Sequence, residues 1–535
     1  MYVAIRNFLL AGGFLAITVF YYWMSWSPEV PILGGDHAVY LLAADYLSPF
    51  NGRGHDVIRA VMPYAFFPPL YPLVLGITGG TSAHVEIAHV VTVSFLVGAL
   101  VCYFLWAHRE TQSSCQAFFL MAVFALLPTT FFQSFGILSE NLYLLLSLMA
   151  VGLLARPDIP LSRLYAVSVV IGLAAITRTV GVTLIVAFAI YLLLHRRDRW
   201  MPLTAVSLMP VVSWSLLKSW LGYTGGYLWI LDSVVKETPL RDLLLKQIIM
   251  ESHGLWAGWI TSFDPAPSVV TLIVGSAIGA ICLAGTLHRI YLRQFDGIYL
   301  ILYFGILLLW PFSQPEDARR FLYVVLPILL LHGLEFTCRR MRRFSLLKPA
   351  IYGYAYLLMI TFIALPAVGL MYHRLAMAAD DANKEYANSL YWYSGQDLNR
   401  VRLKIKAYDK LALSWRRISK TVPESECVYS VDPTWFMLYA DRPSYSIPRA
   451  STKDEFVKAA KDCRYFYIAS YTRPPYPLFY PRDYIMEKGQ IVLIDRMEET
   501  GDEPILGMLV KMPGNDDSPG KLDNLRKSGS KKINE

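Results

Sequence analysis

The sequence predicts an α-helical polytopic membrane protein with a small α/β domain at its C-terminal end, on the outer side of the membrane. Three observations lead there. Of 535 residues 55% are hydrophobic and only 17% charged, with mean hydropathy +0.40; a soluble chain needs more charge to cover its surface. Apolar runs of near-spanning length recur up to about residue 372. Beyond that point the runs become short and alternating, which is strand-like.

A spanning helix needs roughly 20 mostly apolar residues. Runs of that kind fall near 8–26, 85–107, 115–135, 140–155, 164–178, 181–195, 201–221, 268–287, 296–313, 321–336 and 350–372, which predicts about 11–13 spans. The first follows Arg6 and lacks a small-residue cleavage site, so it reads as a retained helix rather than a signal peptide.

The net charge of +8 would suggest nucleic acid in a soluble protein, but here the basic residues sit in short connections between spans. With the N-terminus in the cytoplasm, one set of connections carries Arg109, Arg156, Arg163, Arg196, Arg197, Arg199, Arg289, Arg293 and the cluster Arg339, Arg340, Arg342, Arg343 and Lys348. The opposite set holds little beyond Arg178, Arg319 and Arg320. That asymmetry is the positive-inside pattern. It predicts a multi-pass protein of the cell inner (plasma) membrane with a periplasmic or extracellular C-terminal domain.

The domains follow. Residues 1–372 form the membrane domain, with a first outer loop at 27–84 and an outer segment at 222–267 that could lie flat at the interface. Residues 373–512 form a helical linker and the α/β domain. Its strands are expected at "CVYSVD", "RPSYSIP", "RYFYIASY", "IVLIDRM" and "ILGMLVKM". Thr452 should cap the helix of "STKDEFVKAAKDC", with Glu455 three residues on. Residues 513–535 lack apolar core spacing and read as a disordered tail. Of six cysteines, only Cys427 and Cys463 fall in this outer domain, where they are either a disulfide or two buried thiols. None of the six has paired metal-ligand spacing.

Charged residues gather at the outer ends of the predicted spans. "PILGGDHAVYLLAADYL" (31–47) puts Asp36 and Tyr40 in the first outer loop, and Pro68-Pro69-Leu70-Tyr71 leads from it toward the next span. Ser139-Glu140 opens the fourth span, Ile176-Thr177-Arg178 closes the next, and Arg320-Phe321-Leu322 with Pro327 comes late. Simpler readings exist for each. Asp36 could cap a helix, Glu140 could complement a helix N-terminus, and the arginines could snorkel to headgroups.

These five segments, in this order over roughly residues 8–335, resemble the GT-C fold of polyprenyl-phosphate-dependent glycosyltransferases. The resemblance is to the family 39-like branch, which holds protein O-mannosyltransferases, the lipid A aminoarabinose transferase and related lipopolysaccharide glycosyltransferases. It implies a polyprenyl-phosphate-linked sugar as donor and a lipid, glycan or protein as acceptor. Asp36 would be the general base of an inverting transfer, with Glu140 as the second catalytic residue. Arg320 and Arg178, with Arg319, Arg59 and Arg53 behind them, would hold the donor phosphate, since a guanidinium offers a planar fork to phosphate oxygens. His37, Tyr40, Pro69 and Tyr71 would line the substrate cleft, although a loop histidine is more often packed than functional. His37 stands where some members carry a second acid, so no cofactor is required; a divalent cation is possible but not indicated. The competing reading is a transporter or flippase of lipid-linked sugars, which would favour charges buried in mid-span and broken helices in matching positions.

Overall fold

The computed structural model describes residues 2–27, 30, 35–50, 67–155, 159–220, 240–309, 315–341, 349–379, 398–448, 452–469, 481–496 and 505–513. Arg53, Arg59 and nearly all of the 513–535 tail lie outside them. The described residues fall into two compact units, one up to Val401 and one from Arg402.

The first unit is helical. It runs α1 (Tyr2–Ser25), α2 (Asp36–Leu47), α3 (Leu70–Thr78), α4 (Val85–Thr111), α5 (Ser114–Leu126), α6 (Pro128–Phe135), α7 (Glu140–Leu154) and α8 (Leu161–Ala175). After a 3-10 turn at Thr179–Gly181 come α9 (Val182–His195), α10 (Trp200–Trp220), α11 (Leu240–Phe263), α12 (Val269–Tyr291), α13 (Phe295–Leu308), α14 (Pro315–Tyr323), α15 (Leu326–Met341) and α16 (Pro349–Ala379). Four of these, at Ile5–Ser25, Val85–Thr111, Trp200–Trp220 and Val269–Tyr291, are long and apolar enough to cross a membrane alone. Five shorter apolar helices lie at Glu140–Leu154, Leu161–Ala175, Thr179–His195, Phe295–Leu308 and Ile351–Pro366. The protein is a multi-pass membrane protein.

Two predicted spans are broken, each at a proline. The run 115–135 is not one helix: it bends by 61° between α5 and α6. Pro128 drives Leu127 into an extended conformation (φ −65°, ψ 141°), because a residue before proline is pushed out of the helical region. The carbonyl freed at Phe124 is recovered by the Thr130 hydroxyl at 2.7 Å. Every side chain of α6 is buried, so its irregular backbone is shielded by protein. The run 321–336 is likewise interrupted, by a turn at Val324 and Val325 ahead of Pro327. That break puts Arg319 and Arg320 on α14, a short helix of its own. Gly258 of α11 lies against the α14 backbone so closely that a Cβ there would come 2.8 Å from the Arg319 nitrogen. The segment expected to lie at the interface therefore contributes a helix that backs the arginines.

The second unit begins on α17 (Leu398–Thr421) and contains β1 (Val428–Ser430), α18 (Pro433–Ala440), β2 (Ser444–Ser446), α19 (Lys453–Ala459), β3 (Tyr465–Ala469), α20 (Pro481–Lys488), β4 (Gln490–Arg496) and β5 (Ile505–Lys511). All five strands fall where the sequence predicts them, in the order β2-β1-β3-β5-β4. The β1–β2 and β1–β3 pairs are parallel; β5 runs antiparallel to both β3 and β4. Tyr429, Phe456, Phe466, Ile468, Ile485, Met508 and Val510 form one core cluster. Trp415 packs edge-on to Phe436 and Tyr467 in another layer. The Thr452 hydroxyl accepts the Glu455 N–H, as a helix cap does. Cys427 and Cys463 form the disulfide, resolving the two readings of that pair. The helix α18 connects β1 to β2.

Candidate active site

Helix α2 carries the first acid. Asp36 is its first residue and makes no capping bond; Gly35 occupies the cap position. The next residue, His37, and Tyr40 three residues beyond it grip the loop that leads into α7. The Ile137 N–H donates to His37 Nδ1 at 3.1 Å, and the Tyr40 hydroxyl meets Ser139 Oγ at 2.8 Å. Gly136 allows the approach, since a Cβ there would lie 3.3 Å from the His37 ring. The loop so held places Glu140 at the start of α7. Burial lowers the His37 imidazole from 6.5 to about 4, so it is neutral and free to accept that N–H.

The turn after α8 carries the first cation. Arg178 sits in extended backbone (φ −144°, ψ 138°) before the 3-10 turn. Gly181 lets the chain fold back, because a Cβ would come 2.6 Å from the Ala174 oxygen. The Leu70 N–H donates to the Ile176 carbonyl at 3.0 Å, tying the Pro68–Tyr71 segment to the arginine turn. Helix α14 brings the second cation, Arg320, steadied by the Tyr303 hydroxyl on the Phe321 carbonyl at 2.8 Å. The Tyr323 hydroxyl also donates to Asn141 Oδ1 on α7 at 2.7 Å.

The four charges meet. Arg320 Nη1 pairs with Asp36 Oδ2 at 2.6 Å, and Arg320 Nε donates to Glu140 Oε1. Arg178 Nη1 reaches the same Glu140 oxygen at 2.6 Å and Ser139 Oγ at 3.4 Å. Arg178 also lies over the Phe321 ring, 5.7 Å from its centroid. Segments up to 284 residues apart thus converge on one point. The cluster borders a cavity of about 360 Å3, lined by Asp36, Arg178 and Arg320, by Tyr40, Ser139, Thr177 and Thr179, and by an apolar wall that includes Phe67, Ile306 and Leu307. The Asp36 side chain keeps 30% of its exposure and Arg320 20%, whereas Glu140 keeps 1%.

The other predicted residues are placed differently. Glu140 is not a lining residue; it clamps both arginines from behind. His37 is buried and does not line the cavity. Tyr71 is fully buried, its hydroxyl 2.7 Å from Thr92 Oγ1 and its ring edge-on to Tyr40. Pro69 caps α3, and the neighbouring Pro68 lines the cavity instead. Arg319 points elsewhere, over the Phe132 ring at 5.8 Å. Sequence reasoning missed Thr177, Thr179 and Phe321 as lining residues, although all three flank arginines it had singled out.

A structure of ArnT from Cupriavidus metallidurans bound to undecaprenyl phosphate matches this chain with TM-score 0.53, covering 95% of it and 98% of the ArnT chain at 13% identity. The apo form of the same protein matches with TM-score 0.52 at 14% identity over the same shares. This chain has the GT-C fold. The Archaeoglobus fulgidus oligosaccharyltransferase, solved tethered to an acceptor peptide, aligns at TM-score 0.47 and 14% identity over 85% of this chain and 69% of its own. By sequence, no family model and no curated protein matches.

Proposed function

We propose that this GT-C chain is an integral-membrane glycosyltransferase that moves a sugar from a polyprenyl-phosphate donor to an acceptor hydroxyl or phosphate on the outer, periplasmic face. The observation that carries this reading is the meeting of Asp36 with Arg178 and Arg320 on one cavity. In the transfer, the bond from the anomeric carbon to the phosphate oxygen breaks and a bond to the acceptor oxygen forms. For a hydroxyl acceptor, its proton goes to Asp36 as general base. Attack from the opposite face in one step inverts the anomeric centre. Charge builds on the departing phosphate, and guanidinium forks fixed in advance stabilise it without reorganising.

Glu140 then acts as a positioning residue. Its carboxylate fixes the two guanidiniums, so that the phosphate meets them already oriented. The apolar wall suits the first isoprene unit of the donor, and the exposed Thr179 suits a sugar oxygen. The GT-C likeness to a protein solved with undecaprenyl phosphate supports the donor class. The gathering of charges in one cavity favours chemistry over a translocation path.

The test is incubation of the purified full chain with radiolabelled polyprenyl-phosphate sugars and a membrane extract. Transfer of label to an extract component is expected. Movement of intact donor across vesicles without transfer would favour the transporter reading instead.

A further inference from the structure

A second cavity of about 360 Å3 lies at the opposite ends of the helices that build the first. The Asp36 cavity uses Ser139 beside the start of α7, Val182 at the start of α9 and Leu307 near the end of α13. The second uses Leu154 at the end of α7, His195 at the end of α9 and Phe295 at the start of α13. Along α7, 15 residues long, that separation is roughly 20 Å. In the predicted orientation the second cavity opens at the cytoplasmic leaflet.

Its charges are balanced. Arg289 is 4% exposed and pairs with Glu110 at 2.7 Å, Asp296 at 3.3 Å and Glu335. Arg339 pairs with Glu335, and Arg293 lines the cavity as the third guanidinium. Two polar atoms on lining residues are buried without a hydrogen-bond partner among the described residues: the donor Arg289 Nε and the acceptor Gln294 Oε1. Each such orphan has given up its bonds to water without replacing them. A ligand that accepts from one and donates to the other would recover that loss.

We propose that this cavity binds a phosphoethanolamine headgroup of a membrane phospholipid. An anion alone would meet Glu110 and Asp296 with Arg289 already neutralised. A cation alone would meet Arg289 and Arg293. A group carrying both charges fits: its phosphate accepts from the arginine side and its ammonium donates to Gln294 Oε1 and the carboxylates. Leu154, Tyr191 and Phe295 supply an apolar wall for the glycerol end. The site is independent of the transfer chemistry.

The test uses the full chain in detergent, with thermal unfolding read after adding phosphatidylethanolamine, phosphatidylglycerol or phosphatidylcholine, and glycerophosphoethanolamine as the free headgroup. Phosphatidylethanolamine should raise the unfolding temperature by a few degrees, and the two other lipids should not. Gln294→Leu and Arg293→Ala, which leave the Arg289 ion pairs intact, should abolish that rise and should lose phosphatidylethanolamine co-purifying in native mass spectra. An equal rise with phosphatidylglycerol, an unchanged rise in both variants, or a rise from glycerophosphoethanolamine equal to the lipid's would overturn the proposal of a lipid site.

Discussion

The two charged cavities of the membrane unit use the same residue types to opposite ends. Around Arg289, one guanidinium is nearly enclosed by three carboxylates. His332 adds a further tie, its Nε2 2.9 Å from Asp296 Oδ2 and its Nδ1 3.1 Å from Thr286 Oγ1. That network joins α4, α12, α13 and α15 and sets carboxylates against guanidiniums around the cavity. Around Asp36 the carboxylate and one guanidinium stay part-exposed, and the buried member, Glu140, supports rather than faces the space. The difference teaches where to look for chemistry: among charged side chains that line a cavity and stay part-exposed.

Substitutions can break or sharpen that contrast. The largest effect on folding should come from Arg289→Ala, which strands Glu110, Asp296 and Glu335 without a buried cation and should cost about 3–5 kcal/mol. Size-exclusion yield in detergent reads it. Normal yield and melting temperature would mean the network carries no load.

The next effect is a pH dependence at the Asp36 side. His37 titrates at about 4 when folded against 6.5 when unfolded, so the unfolded chain takes the proton first. This contribution is complete above pH 6.5 and is lost as pH falls from 6.5 to about 4, by roughly 3 kcal/mol at most. His37→Gln should flatten that part of a stability-against-pH curve, and an unchanged slope would count against it.

Smaller still is Glu140→Gln. Loss of one charge-assisted clamp, worth about 1.5–3 kcal/mol, should lower transfer by roughly tenfold to a hundredfold through a raised donor KM. A pure kcat loss would instead make Glu140 part of the chemistry. Tyr40→Phe removes one hydroxyl contact to Ser139, worth about 1 kcal/mol, and should cost less than tenfold in activity.

Much of this was legible in the sequence because its causes are local. Alternation of apolar residues marked all five strands, Thr452 marked a cap, and the five outer segments marked the residues that converge on Glu140. The breaks were less legible, since hydropathy averages over Pro128 and over the turn before Pro327. Yet proline there acts on single residues, and reading 115–135 and 321–336 for proline would have found both. The Arg289 network was missed for a different reason. Arg289 and Arg293 served as orientation signals, while Asp296, His332 and Glu335 each stood alone in an apolar run. An ionisable residue inside a span is itself a signal, but only the packing of distant helices reveals its partner. Likewise, nothing in the spacing told that Arg319 turns to Phe132 while its neighbour faces the cavity.

The most direct measurement is single-turnover sugar transfer by Asp36→Asn beside wild type, with donor binding followed in the same preparation. The account predicts unchanged folding, donor binding retained on Arg178 and Arg320, and transfer slowed by about 10²–10⁴-fold. Transfer at the wild-type rate would contradict it.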